Sequence, residues 1–114
     1  MEPIKVQYWH EYIKEHPTFT GCLINKINNK AWYKNGKRHR EDGPAVEWGD
    51  VTKAWYKNEK YHREDGPAVE LANGDKYWYL NGKCYSEQEW LIAMRKIKIE
   101  KVLNQIEEQN EKSM

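Results

Sequence analysis

A chain of 114 residues with 32% charged and 39% hydrophobic side chains and a mean hydropathy of −1.11 has room for one domain and one modest core. Its balance of charge, net +1 with a pI near 7.7, lacks the basic excess usual in nucleic-acid proteins. Six Trp and eight Tyr against a single Phe exclude a disordered chain and call for half-wet surfaces, where a ring packs its body and wets its tip.

The opening, Met1-Glu2-Pro3-Ile4-Lys5, lacks the apolar stretch of a signal peptide. No apolar run is long enough to span a bilayer, so a cytoplasmic protein with no membrane partner is expected. Cys22 and Cys84 form no CxxC pair and are expected as free thiols. Residues 1–29 have two readings. A step of 23 back from Trp32 reaches Trp9, the same step from His39 reaches His16, and Leu23 falls under Val46, the pattern of a degenerate capping repeat. The segment Tyr8-Trp9-His10-Glu11-Tyr12-Ile13-Lys14 equally suits a short helix.

From Lys30 the sequence repeats every 23 residues. Residues 30–52, KAWYKNGKRHREDGPAVEWGDVT, are followed by 53–75, KAWYKNEKYHREDGPAVELANGD, and by a third opening, KYWYLNGKCYSEQEW. Trp32, Trp55 and Trp78 align, as do Tyr33, Tyr56 and Tyr79, and His39 aligns with His62. Asn-Gly favours a two-residue type I′ turn, whose central residues both take positive φ. That loop sets Lys34 opposite Lys37, Tyr33 opposite Arg38 and Trp32 opposite His39. The second hairpin then pairs Tyr56 with Tyr61, and the third pairs Tyr79 with Cys84 and Trp78 with Tyr85. Glu59 stands where the turn glycine should be, which predicts a strained or altered turn. The Glu-Asp-Gly-Pro segment turns the chain, and Ala-Val-Glu restarts a strand. Alternation puts Trp and His on one face and Tyr on the other. The Trp face, with Val46 and Trp48 or Leu71, is the expected core, and Trp32, Trp55, Trp78, His39 and His62 are expected to be structural.

The third copy breaks into Ser86-Glu87-Gln88-Glu89-Trp90, a capping box ahead of an apolar run. A helix is expected from about Glu87 to about Gln109, with Asn110–Met114 fraying. Trp90, Leu91, Met94 and Ile97 should dock on the sheet. Ile92, Ile99 and Ile106, spaced by seven with Val102 and Leu103 beside them, suit either further packing on the same sheet or pairing with a second copy.

The pattern W-Y-x-N-G-K-x-H over residues 30–92 resembles the MORN repeat. The His39-Arg40-Glu41-Asp42-Gly43-Pro44-Ala45 segment departs from its usual H-G-x-G and is similar to the H-R-x-D-G-P-A variant of small proteins of tailed bacteriophages and other large DNA viruses. The resemblance implies a mainly β fold: an antiparallel β-hairpin strip of 23-residue MORN-like repeats (30–85), an N-terminal cap or degenerate repeat (1–29) and a long C-terminal helix (86–110), in one domain. It also implies a binding module that uses no cofactor, with a host protein, such as a component of antiviral defence, as its partner in the host cytoplasm.

His39 and His62, each near an aspartate, invite a catalytic or metal reading, but a motif that recurs with the fold is a fold determinant, and the histidine spacings suit no metal. A non-enzymatic protein is therefore expected, with no catalytic residue; an enzyme would have to rest on Tyr12, Glu15 and His16. An exposed row of Tyr33, Tyr56, Tyr61 and Tyr79, with Arg38, Arg40 and Arg63, is the candidate partner-binding surface, unless a terminal helix covers the tyrosines. Arg40 and Arg63 suit local pairing, Arg40 with Asp42 or with Glu64 of the next copy. The alternative is a nucleotide or nucleic-acid sponge in which Arg38, Arg40, Arg63, Lys57 and Lys60 alternate with the tyrosines.

Overall fold

The computed structural model describes residues 2–113. It is mostly a β-sheet of many short strands plus one long C-terminal helix. The elements are β1 (Ile4–Lys5), α1 (Trp9–Glu15), β2 (Gly21–Ile24), β3 (Lys30–Lys34), β4 (Lys37–Arg38), β5 (Val46–Glu47), β6 (Lys53–Ala54), β7 (Tyr56–Lys57), β8 (Lys60–Tyr61), β9 (Val69–Glu70), β10 (Lys76–Leu80), β11 (Lys83–Tyr85) and α2 (Glu87–Ser113). The radius of gyration is 17.4 Å and the extents are 57 × 35 × 20 Å. A compact chain of this size would have a radius nearer ~13 Å, so the molecule is elongated.

The main sheet runs β1-β2-β3-β5-β6-β9-β10-β11, with β4 paired to β3 and with β7 and β8 forming a small sheet of their own. β1 lies parallel to β2, and the other pairings are antiparallel. β3 shows how a short segment serves several partners. Lys30–Tyr33 pair with β2, Lys30 and Ala31 also pair with β5, and Tyr33 and Lys34 pair with β4.

The three hairpin registers are those the two-residue turn dictates. Tyr33 faces Arg38, Tyr56 faces Tyr61, and Tyr79 faces Cys84. Asn35 and Gly36 take φ 51° and 77°, and Asn81 and Gly82 take 51° and 84°. The second turn keeps the same form despite Glu59, which is held at φ 73°. Its amide donates to Arg38 O at 3.0 Å, and its carboxylate accepts from the Arg38 amide at 2.7 Å and from the Arg38 guanidinium. These bonds offset the left-handed strain, so the turn is retained rather than altered.

The larger buried cluster lies on the tyrosine face, opposite the expected tryptophans; of the expected core Val46 and Trp48 belong to it, while Trp78 packs in a second cluster with Leu80 and Trp90. A row Leu23–Ala31–Val46–Ala54–Val69–Tyr77 crosses the sheet by register, and Tyr33 and Tyr56 lie beside it. Leu23, Ala31, Ala45, Val46, Ala54, Tyr33 and Tyr56 form the buried cluster, with Val6, Trp9, Tyr12, Ile13, Phe19 and Trp48 packed against it. Small alanines leave space into which the tyrosine rings settle, and residues of α1 close that face. Trp32 and Trp55 remain half-buried on the other face, each under an arginine.

In the first 29 residues a helix stands where Trp9 was aligned with Trp32. α1 has no side-chain cap at Tyr8; its end is closed by His16, whose amide and Nδ1 both contact Tyr12 O and whose ring stacks on Tyr12 at 4.1 Å. Leu23 does sit as Val46 does: it pairs with Ala31 as Val46 pairs with Ala54. The tight turns that follow are also spaced by 23, with amide–carbonyl bonds Asn25–Asn29, Trp48–Thr52 and Leu71–Asp75 of 2.9 to 3.0 Å.

α2 begins as its capping box requires, with the Glu89 amide donating to Ser86 Oγ at 3.2 Å. Trp90 and Met94 are buried against Leu80, Trp78 and Tyr85, and Trp90 Nε1 donates to Arg63 O at 3.1 Å. The helix runs past Gln109 to Ser113, so Asn110–Ser113 are helical rather than frayed; Met114 lies outside the described residues. Its second half buries no side chain: every residue from Lys98 to Lys112 is exposed, and Lys101 reaches the strip through Glu64 at 3.3 Å.

Candidate functional site

The polar loops between strands form a constellation that recurs from one hairpin to the next. His39 is 7% exposed. Its Nδ1 accepts from the Asn58 amide at 3.1 Å, which leaves Nε2 to donate to Glu41 at 2.6 Å. His62 repeats this with the Asn81 amide at 2.9 Å and Glu64 at 2.9 Å. The partners of each histidine are therefore the next hairpin's amide and the glutamate two residues on, and not the nearby aspartate. The reason is geometric: the amide of each turn asparagine has no carbonyl to meet across its hairpin and points at the preceding loop. In the first hairpin, Thr20 Oγ1 takes this place, accepting from the Asn35 amide at 3.0 Å. A second contact accompanies each: the amides of Gly36, Glu59 and Gly82 donate to the carbonyls of Phe19, Arg38 and Tyr61 at 2.8 to 3.0 Å.

The arginines close the same loops. Arg40 bonds Asp42 at 3.0 Å and Pro44 O at 3.1 Å, lies 3.7 Å from Glu47 and covers the Trp32 ring at 3.8 Å. Arg63 does likewise with Asp65, Pro67 O, Glu70 and Trp55. Pairing of Arg40 with Asp42 is as expected, whereas Glu64 is taken by His62 and by Lys101 at 3.3 Å. Arg38 is held by Glu59 and reaches Tyr56 Oη at 3.2 Å. The guanidinium groups of the ladder are thus each engaged by a carboxylate of the strip. Among the described residues, the buried side-chain polar atom without a partner is Trp9 Nε1, outside these loops.

The hydrogen bond from His39 holds the Glu41 carboxyl below the usual carboxylate range, and that from His62 does so for Glu64. Burial pushes the Tyr33 and Tyr56 hydroxyls up. Burial also raises the Cys22 thiol; Cys22 and the exposed Cys84 are free.

The candidate partner-binding row is not the exposed surface envisaged. Tyr33 and Tyr56 lie in the core, and Tyr61 and Tyr79 are half-buried in a stack with Tyr56, with centroid spacings of 4.6 and 4.9 Å. The covering element is α1 at the Tyr33 end, where Trp9, Tyr12 and Ile13 pack. Tyr12, Glu15 and His16 assemble no reactive pair: the first and last stack on one another and cap the helix.

What the structure leaves open is α2. Ile92, Ile99, Val102, Leu103 and Ile106 are each about half exposed, between 49% and 57%. They lie opposite the docked face. Ile97 packs on the Trp90 cluster, and Ile99, two residues later, is turned about 200° from it. No helix among the described residues is long and apolar enough to cross a membrane. Comparison of the chain with models of protein families, with curated proteins and with solved structures finds no match.

Proposed function

We propose that this chain is a non-catalytic protein-interaction module in which a MORN-like hairpin strip acts as a rigid base and the projecting half of α2 is the docking element. The observation that carries the reading is the row Ile99, Val102, Leu103 and Ile106, exposed on the side of the helix away from its own sheet. Isolated surface apolar residues need no explanation, but an aligned row on one helix face is the kind of surface that partners cover. The repeat reading is supported by the 23-residue recurrence of sequence together with the recurrent loop bonds of His39 and His62. The likeness of the H-R-x-D-G-P-A loops to small phage proteins makes a host protein the target class of the module, and inhibition of a defence component its role.

The test uses the tagged full-length chain and nuclease-treated bacterial lysate, with wild type compared to Ile99→Glu/Leu103→Glu. These residues lie outside the core, so the variant keeps its fold, which far-UV circular dichroism checks. A stoichiometric protein retained by wild type and lost by the variant, whether from the lysate or a differently tagged copy of the chain itself, is the expected result. Equal retention by both, or retention of no protein by wild type, overturns the reading.

A further inference from the structure

We infer that the projecting half of α2 pairs with the same segment of a second copy of this chain, and that the two helices run antiparallel. The inference rests on the docking-element reading above and names the occupant.

The first support is geometric. A helix has 3.6 residues per turn, so a stripe spaced by seven stays on one side. Ile92, Ile99 and Ile106 are so spaced, and Val102 and Leu103 lie to either side of that line. Trp90, Met94, Ala93 and Ile97 occupy the opposite side and are committed to Leu80, Trp78 and Tyr85. The helix therefore has two apolar faces. Its own sheet covers one and cannot reach the other.

The second support is charge. Residues 95–101 carry Arg95, Lys96, Lys98 and Lys101 against Glu100 alone. Residues 107–112 carry Glu107, Glu108 and Glu111 against Lys112 alone. At 3.6 residues per turn Arg95, Lys96 and Lys98 lie along the start of the stripe and Glu107 beside its end, whereas Lys101, Glu108 and Glu111 face away from it. A parallel pair would set Arg95, which lies within the stripe, against Arg95 of the second copy and bring the two basic ends together, and like charges so placed destabilise. An antiparallel pair centred on Val102 and Leu103 lays Arg95, Lys96 and Lys98 of each helix along the Glu107 end of the other and brings Ile99 near Ile106 of the second copy. A two-fold interface requires a self-complementary surface, and this segment has that property in both its apolar row and its charges. A lipid surface would favour cations along the whole stripe, and the end of this one carries Glu107 and the uncharged Gln109 and Asn110 instead. Lys101, tied to Glu64 at 3.3 Å, helps orient the helix on its own strip.

The experiment is disulfide trapping in the full chain. Arg95→Cys and Asn110→Cys are made separately in a Cys84→Ser background, given different tags, and oxidised alone and mixed; Cys22 is buried and stays. Antiparallel pairing predicts a mixed 95–110 disulfide in the mixture and little homodimer from either pool alone. Sedimentation equilibrium of the wild type should show a dimer that Ile99→Glu/Leu103→Glu weakens at least tenfold and that added salt loosens. Homodimeric 95–95 and 110–110 disulfides would overturn the antiparallel assignment. A wild type that sediments as a monomer would overturn the inference altogether. If that monomer still held a lysate protein through the stripe, the docking-element reading would survive without it.

Discussion

The imidazole of His39 accepts the backbone amide of Asn58, 19 residues further along the chain, at 3.1 Å. His62 does the same for Asn81 at 2.9 Å. Each loop therefore holds the turn of the hairpin that follows it, through a side chain buried enough that water cannot easily substitute.

His39→Ala removes an acceptor, a bond to Glu41 and a buried ring at once. An unsatisfied amide and a small cavity together cost about 2–3 kcal/mol. Urea unfolding with an unchanged slope should show a loss of that order, and amide exchange at Asn58 should quicken more than its neighbours. A loss below about 0.5 kcal/mol would remove the histidine from the list of fold determinants.

Glu59 separates backbone strain from side-chain pairing. A non-glycine residue at φ 73° is strained by about 1–2 kcal/mol, whereas a half-exposed ion pair such as Arg38–Glu59 contributes about 0–1 kcal/mol. Glu59→Gly should therefore be neutral to stabilising, and Glu59→Ala, which keeps the strain and loses the pair, should destabilise by up to about 1 kcal/mol. Thermal melts of the pair of variants give the order directly; an alanine variant more stable than the glycine one would reverse the argument.

Gly36 and Gly82 occupy the same turn position with different surroundings. A Cβ on Gly36 would stand 2.0 Å from Pro17 O, whereas one on Gly82 would meet nothing nearer than 3.6 Å, at the Lys60 side chain. Both substitutions meet the positive-φ penalty of about 1–2 kcal/mol. Gly36→Ala should exceed it by forcing the Pro17 backbone away, and Gly82→Ala should not. Equal losses in denaturant unfolding would show that the first turn does not press on Pro17.

The acidic limb of the stability profile should report the histidine–glutamate bonds. Folded Glu41 and Glu64 titrate below their unfolded value of 4.5, because His39 and His62 donate to the ionised carboxylates. Their stabilisation is fully present above the unfolded value and is lost as pH falls through the lowered folded values. The Glu41 side chain is 76% exposed, so solvent screens it and Glu64 is the better probe. Glu64→Gln should be less stable than wild type at neutral pH, with the gap closing below about pH 4. A gap independent of pH would mean that the carboxylate charge plays no part.

The hairpins were legible because Asn-Gly specifies both loop length and register, and α2 because Ser86 and Glu89 mark its start. The buried face was not. Both faces carry rings, so alternation alone could not rank them. The decision lay in Ala31, Ala45 and Ala54, all at most 1% exposed, which share one buried cluster with Tyr33 and Tyr56. It lay also in Arg40 and Arg63, whose planar groups cover the indoles and leave that face polar. α1 escaped a firm reading for want of a capping side chain, and β1 because a two-residue parallel strand has no pattern of its own. The candidate surface moved from the tyrosines to the heptad row of α2, whose spacing was visible but whose direction depended on which side Trp90 and Ile97 dock.

The handing of each turn to the loop before it makes the strip extensible in fixed increments. Residues 53–75 receive one hairpin clasp, from His39, and provide one, from His62. A duplicate of that cassette inserted after Asp75 would find the same acceptor behind it and offer the same one ahead. Each such copy adds two strands to the main sheet, or about 9–10 Å of width at ordinary strand spacing. The molecule is in this sense a ruler, and the distance between α1 at one end and the root of α2 at the other is a length that evolution or an engineer can change in whole steps without touching either helix.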